Sequence, residues 1–177
     1  ALDTLSGKLS LDMDRLGLIG HSFGGYQTNF IITQTKRFKA AVSSSGVSDL
    51  TTRYLTYSKE YKKPDMWRME SWQVRMGKSL FEDYDGYISN SPVFQSHKVT
   101  TPLLLVTGRE DKVVEADQSV AMFLALKRQS KIVNLLMYPQ EEHVIMNQEN
   151  ILDASKKISS WFDYYLKDME EPQWLKE

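Results

Sequence analysis

Ser22 lies in the stretch Gly20-His21-Ser22-Phe23-Gly24-Gly25-Tyr26, directly behind an apolar run at residues 16–19. A Gly-x-Ser-x-Gly pattern between a short buried strand and a helix forms a nucleophile elbow. The glycines at positions 20 and 24 leave room where strand, helix and serine backbone crowd together. The Ser22 hydroxyl then projects from the end of the sheet, and the N–H groups that open the next helix point toward negative charge developing beside it. Ser22 is a candidate nucleophile on these grounds.

A serine hydroxyl attacks efficiently only when a base takes its proton, and the base needs an orienting carboxylate. The chain has three histidines. His21 adjoins the serine, is expected on the other side of the turn, and reads as packing beneath the elbow. His97 sits in the polar approach to an apolar run at residues 103–106. His143 lies in Pro139-Gln140-Glu141-Glu142-His143-Val144-Ile145, just behind a run at residues 133–138 and at the same carboxyl end of the sheet as Ser22. It is the base by elimination and by position. For the carboxylate, Thr107-Gly108-Arg109-Glu110-Asp111-Lys112-Val113-Val114 offers Asp111 as first choice. Glu110, one residue away, and Asp117, at a helix start where a carboxylate is favoured for dipole reasons alone, are its competitors. The order Ser, Asp, His, each after a successive strand, is the one found in α/β-hydrolases.

Bringing three such loops together requires a parallel sheet. Runs at residues 16–19, 40–43, 103–106 and 133–138 read as buried parallel strands. Residues 24–35 and 116–129 read as helices. A last helix is traced by Ile151, Ala154, Ile158, Trp161, Phe162 and Tyr165, which form one apolar stripe at helical period. The alternation predicts an α/β domain, mostly parallel sheet flanked by helices. Residues 50–101 interrupt it with tyrosines and tryptophans set among many charges. Two readings stand there: short helices packing aromatics against the sheet edge, and a wall or lid over the site.

At 177 residues, 41% hydrophobic and 25% charged, the chain has the size and composition of one soluble globular domain, expected over residues 1–177. A net charge of -1 with mixed signs gives no footprint for nucleic acid. With no cysteine and three scattered histidines, neither a metal nor an organic cofactor is implied. The same lack of cysteine suits the cytosol and leaves a periplasmic or secreted location open, so the compartment is unknown. No stretch approaches the roughly 18 to 20 consecutive apolar residues of a membrane helix, and no signal-peptide pattern stands at the start, so no membrane segment is expected. The chain begins at Ala1 without an initiator methionine and reads as part of something longer.

The sequence resembles the catalytic domain of the prolyl oligopeptidase family of serine peptidases. The resemblance rests on the stretch from Gly20 to Tyr26, on Ser91-Pro92 leading to Thr101-Pro102, on Gly108 with Asp111 and Val114, on Tyr138-Pro139 ahead of Glu142-His143, and on Trp161-Phe162-Asp163-Tyr164-Tyr165-Leu166. It implies the C-terminal part of an α/β-hydrolase fold and hydrolysis of a peptide substrate through an acyl-enzyme. Ser22 would be nucleophile, His143 general base and acid, and Asp111 the orienting group. It further implies the Phe23 backbone N–H as one oxyanion donor. Phe23, Val47, Leu50 and Val113 would line the first specificity pocket, an apolar lining suited to proline or another small apolar residue. Val144, where the family commonly has a small residue, is a departure.

The family places further strands, a second oxyanion donor and usually a β-propeller ahead of such an elbow, so activity is expected to require a portion preceding this chain. Two alternatives remain at this point. A carboxylesterase uses the same triad on small acyl esters. An inactive module would instead self-associate as a homodimer through the open strand edge carrying Leu16, Leu18 and Ile19.

Overall fold

The structure, a computed structural model, describes residues 2–176, so the first and last residues of the expected 1–177 domain lie outside the described residues. After a short helix α1 (Leu2–Ser6), the chain enters β1 (Gly17–His21), α2 (Phe23–Gln34) and β2 (Ala40–Ser44). The central excursion holds α3 (Leu50–Tyr54), a two-stranded hairpin of β3 (Tyr57–Ser58) and β4 (Lys63–Pro64), α4 (Met66–Glu70), α5 (Tyr84–Ser89) and a 3-10 helix at Pro92–Lys98. Then follow β5 (Leu103–Gly108), α6 (Asp117–Arg128), β6 (Val133–Tyr138) and α7 (Gln148–Lys167).

The main sheet has the order β1-β2-β5-β6, with every pair parallel. Alternation of side chains along each strand builds a core on both faces. Ala41, Leu103, Leu105 and Val133 face Ile32 of α2 and Met122 and Leu126 of α6. Ala40, Val42, Leu104 and Val106 face Ala154 and the fully buried Trp161 of α7. At about 1.5–3 kcal/mol for each large apolar side chain taken out of water, the three consecutive leucines of β5 are a principal anchor of the sheet. The apolar stripe expected on the last helix is thus the face that covers one side of the sheet, except for Ile151, which lies in the first turn and is exposed.

The first expected strand differs in setting. It runs over Gly17–His21 rather than residues 16–19, and it is an edge strand with no partner on its outer side among the described residues. Ile19 is 58% exposed there. The apolar run suggested burial, but burial of a strand also depends on a neighbour that the run itself does not encode.

The excursion is built of short helices and walls the site, as the two readings have it. Its aromatics, however, pack among themselves and on α2, not against the sheet edge, because the edge strands β1 and β6 lie away from the segment. Leu50, Tyr54, Met69, Leu80 and Tyr87 form a separate apolar cluster with Tyr26 of α2. The same segment supplies a wall of the cavity beside Ser22. No helix among the described residues is long and apolar enough to cross a membrane.

Candidate active site

The elbow is built by close backbone approach. A side chain at Gly20 would collide with the backbone of Gly24, and one at Gly25 would come within 2.7 Å of the Ser44 carbonyl oxygen. Position 24 opens onto free space, so the second glycine that the turn requires is Gly25, not Gly24. Ser22 takes φ 57 and ψ -118, a left-handed conformation rare for a residue with a side chain. Its N–H donates to the Ser44 carbonyl at 2.8 Å, which ties the turn to the end of β2.

A serine at a helix N-cap normally turns its hydroxyl onto the helix amides. Ser22 holds the N-cap position of α2 without making that bond. Its Oγ lies 2.9 Å from His143 Nε2, and His143 Nδ1 lies 2.8 Å from Asp111 Oδ2. The Asp111 carboxylate is fully buried and the His143 side chain is 18% exposed. Asp111 Oδ1 accepts from the N–H groups of Val113 and Val114 at 2.8 and 2.9 Å, so the loop after β5 fixes the carboxylate before histidine meets it. With an acceptor facing Nδ1, the proton belongs on that nitrogen and the Nε2 lone pair faces the serine hydroxyl. Glu110 and Asp117, the competing carboxylates, are exposed, and neither contacts His143.

The loop carrying His143 is held by Glu141, which the sequence reading did not single out. Its buried carboxylate accepts from the N–H groups of Met146 and Asn147 at 2.7 and 3.1 Å and from Asn150 Nδ2 at 2.7 Å. These bonds, led by the one from Asn150, hold its carboxyl below the ordinary range. The Glu141 carbonyl accepts from Glu110 N–H at 2.9 Å, linking the histidine loop to the aspartate loop. An acid two residues before a loop histidine carried no periodic or motif signal by itself.

His21 does not pack beneath the elbow. The residue is exposed, its Nδ1 is 3.3 Å from Ser44 Oγ, and its ring centroid is 4.9 Å from that of His143. Position 21 ends an edge strand, so its side chain has no covering layer to enter. Partial burial of the ring, then the neighbouring His143, lower its pKa, while Asp111 pulls the other way. His97 lies exposed at the end of the 3-10 helix, away from these groups.

The cavity beside Ser22 is lined by Phe23, Val47 and Leu50, with Tyr26, Met69 and Val74 completing apolar walls. Val114 takes the place expected for Val113. The two N–H bonds to Asp111 turn this segment so that position 114 faces inward, while the Val113 carbonyl accepts from the Arg53 guanidinium. Burial pushes the Tyr26 phenol up to about 12, so it remains a donor, here to the Asn90 carbonyl at 3.0 Å. The cavity also carries Arg53, Arg68 and Gln73, so it is not the purely apolar lining expected. Phe23 N–H stands in the first turn of α2, where amides have no intrahelical acceptor.

Residues 1–169 match the profile of the prolyl oligopeptidase family. A peptidase of Bacillus subtilis described as uncharacterized, YuxL, is 33% identical over 159 residues, covering 88% of this chain and 23% of its own length. Dipeptidyl-peptidase 5 of Porphyromonas gingivalis is 27% identical over 172 residues, covering 94% of this chain and 24% of its own. Among solved structures, an acylaminoacyl peptidase of Pyrococcus horikoshii superposes with a TM-score of 0.82 at 28% identity, over 97% of this chain and 27% of that one. The sheet and its flanking helices are those of an α/β-hydrolase. The chain spans about a quarter of the length of these relatives.

Proposed function

The chain belongs to the prolyl oligopeptidase family, and from that premise we propose that it supplies the reacting side chains of a serine peptidase. Ser22 Oγ attacks the scissile carbonyl while His143 Nε2 takes its proton, and Asp111 holds the resulting imidazolium in place. The Phe23 N–H donates to the oxyanion of the tetrahedral intermediate. Collapse expels the amine, which receives the proton from His143, and leaves the acyl group on Ser22. Water, activated by the same histidine, then releases the acid and restores the hydroxyl.

The observation that carries this reading is the continuous bonded path from Ser22 Oγ through both ring nitrogens of His143 to a buried carboxylate whose other oxygen is already bonded. A fluorophosphonate probe is expected to label Ser22 in the full-length protein, and Ser22→Ala to abolish the label. Labelling that persists in that variant contradicts the reading. Because the same groups act on esters, turnover of a prolyl anilide compared with that of a short acyl ester separates a peptidase from a carboxylesterase.

A second reading concerns association, and it rests on the open edge of β1 with its exposed Ile19. An unpaired apolar strand edge is a template for another strand, so the isolated 177-residue chain is proposed to self-associate as a homodimer there. Sedimentation as a single monomer at all concentrations contradicts this.

A further inference from the structure

The cavity beside Ser22 has apolar walls, yet the only charged side chains on its surface among the described residues are two arginines, Arg53 and Arg68. They are 1% and 6% exposed. Their surroundings differ. The Arg53 guanidinium is bonded on several sides: to Glu115 at 2.7 Å, to Asp65 and to the Val113 carbonyl. It serves as structural cement between α3, α4 and the loop after Asp111.

Arg68 is not so occupied. Its nearest carboxylate oxygen, Asp65 Oδ1, lies 3.5 Å from Nε, and Nε has no hydrogen-bond partner among the described residues. The guanidinium carbon lies 4.3 Å from the centroid of Tyr61, with Trp67 and Trp72 further out at 5.4 and 5.7 Å. Aromatic faces attract a cation but give its N–H groups no strong acceptor. A guanidinium removed from water with a donor unpaired is costly, and an anionic acceptor arriving from outside relieves that cost.

The local charges leave room for such an acceptor. Asp65 is fully buried behind the two arginines and is shared by both. Its burial pushes its carboxyl pKa up, against the pull of Arg53 and then Arg68. Glu115 lines a different surface depression of mixed charge, with Lys59, Arg109 and Lys112 beside Glu110, Asp111 and Asp117, and does not line the cavity. A proline or leucine side chain entering the cavity would satisfy the walls and leave Arg68 with Asp65 as its one carboxylate partner and with Nε lacking a hydrogen bond among the described residues.

We propose that this cavity selects substrates whose residue on the acyl side of the scissile bond carries a carboxylate, glutamate or aspartate, and that Arg68 is the specificity-determining group that binds it. Gln73, on the same cavity surface, supplies a second polar contact. A carboxylate accepts two N–H bonds from a guanidinium side by side, which gives both affinity and orientation. The inference rests on Ser22 being the nucleophile.

The test measures kcat/KM of the full-length protein on N-acetyl-X-p-nitroanilides with X as Glu, Gln or Leu, alongside fluorophosphonate labelling of Ser22. Blocked anilides present no free carboxyl other than the side chain. The expected result is a preference for Glu of at least about tenfold over Gln and Leu. In Arg68→Met the Glu-to-Leu ratio is expected to fall at least about 100-fold, and Arg68→Lys to recover part of it. Leu or Gln equal to or better than Glu in the unmodified protein overturns the proposal, whether or not the variants fold. If Ser22 is labelled and Leu leads, this inference fails alone. If Ser22 is not labelled and no anilide is cleaved, the reading beneath it fails as well.

Discussion

Ser22 occupies the N-cap of α2, but its hydroxyl lies 2.9 Å from His143 Nε2 and makes no capping bond. That geometry gives up a cap typically worth about 1 kcal/mol, and the strained φ of 57 adds to the cost. A serine serving only to end a helix would take the cap. The arrangement trades local stability for a hydroxyl aimed at a base, as expected of a reacting group.

The carboxylate assignment separates cleanly by mutation. Asp111→Asn keeps the shape of the buried site but offers an N–H where His143 Nδ1 needs an acceptor, so kcat of the full-length protein is expected to fall about 10,000-fold. Glu110→Gln and Asp117→Asn change exposed groups and are expected to leave kcat within about threefold. Steady-state kinetics on one anilide decides among the three.

The elbow glycines divide in a way their motif does not suggest. Gly20→Ala forces a methyl group into the Gly24 backbone and is expected to cost roughly 3 kcal/mol or more, or to prevent folding. Gly24→Ala meets open space inside a helix and is expected to be neutral or stabilising by up to about 1 kcal/mol. Urea unfolding of the two variants checks both.

His21 leaves a mark on acid stability. Burial, then His143, hold its native pKa below 6.5, so the unfolded chain binds its proton at higher pH than the folded chain does. Stability is therefore lost as pH falls from about 6.5 toward the depressed native value. His21→Gln is expected to flatten this loss, read as a shallower slope of unfolding free energy as pH falls below 6.5. An unchanged slope means that His21 is not held in that environment.

Much of this was legible in sequence because its signals are local. The runs at residues 40–43, 103–106 and 133–138 are apolar where both faces of a strand are covered, and they match β2, β5 and β6 within two residues. Ser22, Asp111 and His143 could be paired because each follows its own strand in the same direction, so a parallel sheet brings them to one end. What was not legible depends on partners distant in the chain. The inward turn of Val114 over Val113 follows from two backbone bonds to Asp111, a geometry that valine identity does not encode. The exposure of His21 follows from its place at the end of β1, whose open edge is expected around Ile19 but not carried to the histidine. Arg68 reaches the cavity because the aromatic excursion folds back onto α2, a tertiary arrangement with no periodic signature.

The central claim is that Ser22 forms an acyl-enzyme. Its most direct test is acid quenching of the full-length protein during turnover of a slow ester, followed by mass spectrometry of the proteolytic peptides. An acyl group on the peptide carrying Ser22, absent in Ser22→Ala, is the predicted result. An adduct on another residue, or turnover that survives Ser22→Ala, contradicts the account.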